Sequence, residues 1–596
     1  MLKAEKTLRA INKLGEKNAP LTRVYRCLYN EELYLLAYGN LSRNRGALTA
    51  GVTEETIDGM NLKRIREIIE LMRHERYNFN PARRVYIPKK NKGKRPLGLP
   101  TFSDKLVQEV VRLILDAYYE PQFSRHSHGF RPNKGCHAAL KEVKQTFTGT
   151  TWFIEGDIKS CFTSIDHDKL IEILSRQIHD GRFLNLIKRM LKAGYLEEWT
   201  FNNTYSGVPQ GGVVSPILSN IYLNELDWFY ENELKVRYTK GKKRKISKTY
   251  RRISTALLTA KKKNDREKAM QLKKLQLQTP SVELFDESYR RLRYVRYADD
   301  FILGFIGSKK EAERIKSELN HFLHTELKLK MSDEKTLITH AGSRNAKFLG
   351  YGIRKVYCDD RITRTIAGNK KRALNGRILL TVSPQVVAAK VREYQRDGIT
   401  RGKRTLYGHS EAEIVQYYQS RYRGFAEYYK YANNRAIISR LKHEMQISLV
   451  KTLANKMKIG ITRVYQRYAS TKIIDGRKYK TLSVKVKGKE GKEYEFYWGG
   501  ISLKIEPVGA YLEDNKPLPL HYRRIELVER LSANTCEHCN SHDNIEVHHI
   551  RKLADLKQRW KGRKKKPEWV IWMITRNRKT MVLCQECHIK LHSGTL

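Results

Sequence analysis

The chain has 596 residues, with 116 Lys+Arg against 63 Asp+Glu, a formal charge of +53 and a pI near 9.9. That excess goes beyond what solubility needs and draws a polyanion through counterion release, while a 40% hydrophobic content excludes global disorder and can fill the cores of about three or four domains. No window approaches the ~18 apolar residues of a membrane span, and the N-terminus MLKAEKTLRAINKLGEKN lacks the apolar core of a signal peptide; no membrane partner is expected, and an intracellular place is expected.

The first 80 residues are basic and include LYLLAYGNLSRNRGALTAGV. Lys89 and Arg95 follow, flanking a Lys- and Gly-containing turn in PKKNKGKRPLG that the residues alone define only as a basic surface turn. Trp152 to Ile158 predicts a strand whose end presents Asp157, the position where sheet-based enzymes carry catalytic groups or where an Asp simply caps a turn. Asp166 is placed to cap a helix from about His167 through Leu174, and Phe162 lies between the two acids. In Pro209-Gln210-Gly211-Gly212 the glycines permit close backbone approach beside Gln210.

Between Lys240 and Gln276 stand 15 Lys+Arg and 2 acidic residues, with little hydrophobic periodicity before RRISTALLTAKKK. Such a run is usually a solvated or disordered face, with a phosphate-backbone contact as the alternative. Tyr297-Ala298-Asp299-Asp300 then sits inside the apolar run LRYVRYADDFILGF, which predicts a strand, a tight turn and a return strand. An unpaired buried carboxylate there costs several kcal/mol, and a divalent cation would compensate it; a solvated acidic hairpin tip is the alternative. Because adjacent strand residues face opposite ways, Asp299 and Asp300 are expected to play unequal parts, with Asp157 and Asp299 the principal pair. Lys335 follows in SDEKT, where an exposed lysine after two acids is ordinarily a solvated partner.

From about 366 the chain turns helical in pattern, with Arg, Lys and Tyr interleaved in SRYRGFAEYYKYANNRAIISRLKHEM. Tyr417, Tyr418, Tyr422, Tyr428 and Tyr429 can form a bundle core or stack on unpaired bases. Residues 481–530 read as short strands and a basic linker. Of the eight cysteines, Cys27, Cys136, Cys161 and Cys358 are scattered, whereas Cys536, Cys539, Cys584 and Cys587 form two CxxC pairs that predict a structural zinc site rather than a disulfide framework. His548 and His549 in EVHHI, and His588 and His592 in CHIKLH, surround those pairs.

An Asp-bearing strand followed by an Asp-Asp hairpin resembles the palm of a reverse transcriptase. RVYIPKKNKGKRPLGLPTFSDKLVQEVVRLIL (84–115), SHGFRPNKGCHAAL (127–140), YSGVPQGGVVSPILSNIYL (205–223), MSDEKTLITH (331–340) and FLGYGI (348–353) are similar to its successive motifs. The HGFRP and PQGG-SPILSNIYL wording resembles the group II intron-encoded proteins in particular, and the C-terminus resembles a ββα-metal nuclease of the HNH class.

The resemblance implies an α+β chain: a right-hand polymerase fold of fingers and palm, then an α-helical thumb or maturase domain and a small zinc-stapled ββα-metal domain. The expected divisions are a fingers extension at 1–80, fingers and palm at 81–365 with a basic insertion at about 232–290, thumb/maturase at 366–480, a DNA-binding region at 481–530 and the nuclease at 531–596. It implies Mg²⁺ on Asp157, Asp299 and Asp300; Lys89 and Arg95 on the triphosphate; Phe162 beneath the sugar, selecting deoxynucleotides; Gln210 beside the nucleotide; Lys335 able to protonate pyrophosphate; and FLGYGI gripping the primer. It also implies His549 as the nuclease base, with His548 and His588 as ligands of a catalytic cation. Thr580 stands where the motif's middle Asn is usual, Asn577 lies three residues earlier, and His592 has no assigned part. A zinc-stapled DNA-binding module that does not cut is the alternative. The implied partners are a group II intron RNA, a DNA target and dNTPs, with a homodimer left open.

Overall fold

The structure is a computed structural model that describes residues 2–44, 46–88, 93–197, 200–202, 207, 211–283, 286–332, 334–356, 362–364, 368, 370–372, 376–487, 493–505, 526–551, 553, 556, 567–575 and 578–596. Lys89, Gln210, Cys358 and Asn577 lie outside the described residues.

The palm is a five-stranded sheet in the order Ile338–His340, Trp152–Asp157, Asp300–Ile306, Arg291–Tyr297, Ser127–His128. The central strand, Asp300–Ile306, is apolar at most positions because both of its faces are covered. Phe301, Leu303 and Phe305 enter a core shared with helices Ser215–Phe229 and Lys309–Thr325, while Ile302, Val295 and Phe153 enter a second core with helix Cys136–Thr146 and the thumb. Asp166 caps helix His167–Ser175 by accepting the Lys169 N–H, as the sequence predicts.

The fingers are an antiparallel hairpin, Ala82–Pro88 with Lys94–Leu99, extended by Tyr195–Glu197 and Thr200–Asn202. Behind it, helix Phe102–Tyr119 is buried along most of its length and shares its core with helices Leu2–Glu16, Glu31–Leu41 and Leu62–Arg73. The basic insertion is a helical hairpin, Lys248–Lys262 and Arg266–Gln278, rather than an unstructured face. Ile253, Leu257 and Ala260, spaced at i, i+4 and i+7, are its buried stripe, and Asp265 caps the second helix.

In the thumb, helices Pro384–Arg392, Glu411–Tyr428 and Ile438–Met457 pack together and continue into the sheet Ala469–Ile474, Arg477–Lys487, Glu493–Trp498. The expected division at 480/481 falls inside the strand Arg477–Lys487, because Trp498 from the same sheet is buried against Tyr422 and Gln419 exchanges two hydrogen bonds with Gly499. The division at 530/531 likewise falls inside helix Glu526–Ser532. That helix, the hairpin Ile545–His549/Thr580–Cys584, helix Glu568–Thr575 and helix Gln585–Ser593 build the C-terminal unit, whose apolar side joins the core of the N-terminal helices. Among the described residues, no helix is long and apolar enough to cross a membrane.

Candidate active sites and metal centres

The palm hairpin turns through two residues, Ala298 and Asp299, between the paired Tyr297 and Asp300. Ala298 takes the left-handed conformation at φ 53°, which costs an L-residue about 1–2 kcal/mol. Neighbours hold it there: the Ala298 N–H donates to His128 O at 2.9 Å, and Arg296 Nη1 donates to Ala298 O at 3.0 Å. Arg296 is itself fully buried, its guanidinium donating to both oxygens of Asp227 at 2.9 and 2.6 Å and to Ser127 Oγ at 2.7 Å.

Across the ladder Asp300 lies opposite Asp157, so these two side chains share a face; Asp299 sits in the turn, where strand alternation does not apply. Burial raises the Asp299 carboxyl, and Asp157 adds to the rise while Arg95 and Lys335 oppose it. Asp300 is pushed up to about 7 by burial, then by Asp299 and Asp157. Three crowded carboxylates are an all-oxygen donor set suited to a hard divalent cation.

The surrounding residues converge on this corner. Lys335 Nζ donates to Asp157 Oδ2 at 2.8 Å, and its segment is tied to the Asp157 strand by a bridge between Ile158 and Met331 and by the Ser332 N–H on Asp157 O at 2.8 Å. Phe162 is half-buried and meets the exposed Phe130 edge-on, with ring centroids 6.3 Å apart. A Cβ added at Gly211 would stand 2.5 Å from Gly98 O, so the segment after Gln210 runs directly against the fingers hairpin. In FLGYGI, Leu349 and Gly350 both have positive φ, 49° and 73°, and form the two-residue turn between Phe348 and Tyr351.

The thumb tyrosines are mainly core. Tyr418, Tyr422 and Tyr429 are buried, and Tyr418 Oη bonds to Ser448 and Thr452 at 2.8 and 3.0 Å. Tyr428 Oη donates to Leu349 O at 2.7 Å, fastening the thumb to the turn between Phe348 and Tyr351, while half-buried Tyr417 carries Arg421 over its ring.

At the C-terminus, ligand atoms of Cys536, Cys539, Cys584 and Cys587 all lie within 4.8 Å of one another. Burial raises the Cys536 thiol, but backbone N–H groups of Cys539, Cys584 and His538 outweigh it and bring it down to about 7. Four sulfurs at this spacing fit the tetrahedral set of a structural zinc.

A second cluster joins His548, His588 and His592 with Asp58. His548 Nδ1 is 3.2 Å from His588 Nε2, which is 3.1 Å from His592 Nε2. Glu546 takes the other His588 nitrogen at 2.8 Å, leaving Nε2 turned to the cluster, and His548 Nε2 is buried without a hydrogen-bond partner among the described residues. Abutting imidazole nitrogens of this kind fit a cation. His549 is buried, its pKa lowered to about 4 chiefly by burial, and its Nε2 lies 2.8 Å from Tyr38 Oη. Thr580 is its ladder partner, with Oγ1 accepting from Arg530 at 3.2 Å.

His592, given no part from the sequence, carried one usable signal: at i+4 it shares a helix face with His588. Asp58 and Tyr38 carried no signal at all, for they reach the cluster from 491 and 511 residues away in sequence.

Three families account for most of the chain. Residues 87–353 match the reverse transcriptase (RNA-dependent DNA polymerase) family, 386–496 the type II intron maturase family and 536–588 the AI2M/AI1M-like HNH endonuclease family. Fold and sites together define a reverse transcriptase joined to a maturase domain and an HNH endonuclease domain. The chain is 38% identical to the group II intron-encoded protein LtrA of Lactococcus lactis subsp. cremoris over 602 residues, covering 98% of each chain. It is 34% identical to the putative COX1/OXI3 intron 1 protein of Saccharomyces cerevisiae, over 95% of this chain and 68% of that one, and 36% identical to YkfC of Escherichia coli, over 55% and 83%. The chain belongs to the group II intron-encoded proteins, multifunctional enzymes with RNA-directed DNA polymerase, maturase and HNH endonuclease domains in one polypeptide.

Proposed function

We propose that Asp157, Asp299 and Asp300 hold the Mg²⁺ with which this protein copies its own intron RNA into DNA at a target strand opened by its nuclease. The observation that carries the reading is the ladder register, which sets Asp300 opposite Asp157 with Asp299 in the adjoining turn. Mg²⁺ held by these three carboxylates would supply Lewis acidity to a primer 3′-hydroxyl and positive charge to the leaving pyrophosphate.

The remaining work falls to the protein. Arg95, whose charge already acts on Asp299, binds the incoming triphosphate from the fingers, and Lys89 is assigned to the same group from its place in PKKNKGKRPLG. Lys335, kept protonated by its hydrogen bond to Asp157, supplies a proton to the pyrophosphate. Phe162, backed by Phe130, leaves no room for a 2′-hydroxyl, and Gln210 contacts the nucleotide from the glycine-lined segment.

In the nuclease, His549 takes the proton from the attacking water. His548, His588 and His592 hold a cation that polarises the scissile phosphate, and the four cysteines hold a structural Zn²⁺. The basic helical hairpin and the thumb bind the intron RNA, with dNTPs and target DNA as the other partners.

Primer extension on an RNA template tests the polymerase assignment. The purified protein extends a DNA primer with Mg²⁺ and dNTPs, and Asp299→Ala lowers the rate on the order of 100-fold or more. Undiminished extension by that variant would remove Asp299 from the site.

A further inference from the structure

The two ends of the chain meet at the nuclease. Residues 58–60 run antiparallel beside the strand Ile545–His549: the Gly59 N–H donates to Val547 O at 3.1 Å, and the Val547 N–H to Met60 O at 3.0 Å. Gly59 has φ 74°, a left-handed turn that suits glycine, at the step between Asp58 and this pairing. Asp58 Oδ1 accepts the His549 N–H at 2.6 Å, and helix Glu526–Ser532 packs against helix Glu31–Leu41. The docking is therefore made by backbone pairing and apolar burial, and the Asp58 carboxylate is delivered to a fixed place.

That place is the histidine cluster. Asp58 Oδ1 is 3.4 Å from His548 Nδ1, and Oδ2 is 3.0 Å from His592 Nε2 and 3.6 Å from His588 Nε2. All four ligand atoms fall within 4.8 Å of one another, close enough to surround one ion. Three imidazoles leave a divalent cation with its full double charge in a half-buried site; one carboxylate halves it.

We propose that the nuclease metal site is shared between the two ends of the chain, with Asp58 as a fourth ligand to a first-row divalent cation held by His548, His588 and His592. The inference rests on the nuclease reading above and adds that the HNH unit alone holds an incomplete site. Whatever separates the N-terminal region from the C-terminal unit then also lowers metal affinity.

The test uses the full chain with its zinc retained, in an Asp157→Asn, Asp299→Asn, Asp300→Asn background that removes all three competing palm carboxylates. Mn²⁺ is titrated calorimetrically, and its EPR spectrum is searched for ¹⁴N modulation from bound imidazole. Asp58→Asn keeps the acceptor for the His549 N–H while removing the charge, and Asp58→Ala removes both; unchanged zinc content reports that the C-terminal unit is folded. The proposal expects ¹⁴N-coupled Mn²⁺ in the parent, and affinity lowered at least about tenfold in both variants. Parental affinity in Asp58→Asn and Asp58→Ala overturns it, and parental affinity with faster nicking would make Asp58 a plug over the site. A parent whose Mn²⁺ shows no ¹⁴N coupling, or a His548→Ala variant that binds as the parent does, overturns the nuclease reading and this inference with it.

Discussion

Arg296 and Asp227 form an ion pair with neither side chain exposed to solvent, and the same guanidinium donates to the carbonyl of Ala298, the residue before Asp299. The pair ties the Ala298-Asp299 turn to helix Ser215–Phe229, and Tyr294 Oη donates to Asp227 as well, at 2.8 Å. A fixed turn is what an Ala with positive φ requires.

Asp227→Ala leaves a guanidinium buried without its counter-ion, an arrangement that costs about 3–5 kcal/mol. Thermal unfolding should show the palm destabilised, and primer extension should fall although no residue of the acidic triad has changed. A variant that melts and polymerises like the parent would mean that the turn holds itself.

The acidic hairpin, the strand ending at Asp157 and the cap at Asp166 were all legible in the sequence, because each rests on local pattern and turn chemistry. The cysteine quartet was legible from spacing alone. What stayed hidden depends on register and on contacts far apart in sequence. Alternation along a strand separates Asp299 from Asp300, yet the ladder sets Asp300 opposite Asp157, and the turn frees Asp299 from that alternation. The helical hairpin was hidden because charge masked the short stripe of Ile253, Leu257 and Ala260. The five thumb tyrosines fitted two roles until burial divided them.

Acid sensitivity should appear at Glu142. It lies between His126 and His128, with His128 Nε2 at 2.8 Å, beside the strand that pairs with Arg291–Tyr297. Burial acts against its charge, but hydrogen bonds from both histidines outweigh it and hold the carboxyl near 2 against an ordinary 4.5. The folded value lies below the unfolded one, so this stabilisation, on the order of 3 kcal/mol, is present above about pH 4.5 and is lost as pH falls toward 2. His126 acts in the opposite sense: burial lowers it, Glu142 and Glu231 raise it further, and its contribution is complete below about 6.5 and lost as pH rises through the raised value. Melting temperatures of Glu142→Gln should trail the parent most above pH 4.5 and converge with it in acid. A constant gap across pH would refute the linkage.

Zinc removal should divide the activities. The four cysteines stand on the turn before the hairpin and at the start of helix Gln585–Ser593, so losing their ion releases the frame that carries His548, His549 and His588. Cys584→Ser should lower the zinc content of the protein and abolish nicking while primer extension with added Mg²⁺ continues. Loss of both activities together would place the zinc in the support of the palm.

The most direct measurement follows splicing, nicking and cDNA synthesis together in one reaction of the intron ribonucleoprotein with target DNA, dNTPs and Mg²⁺. Asp299→Ala should splice and nick within about twofold of the parent while making no cDNA, because distant independent sites do not couple. His549→Ala should splice without nicking. Full-length cDNA from Asp299→Ala, or its loss of splicing while still folded, would contradict the assignment of DNA synthesis to the Asp157, Asp299 and Asp300 corner alone.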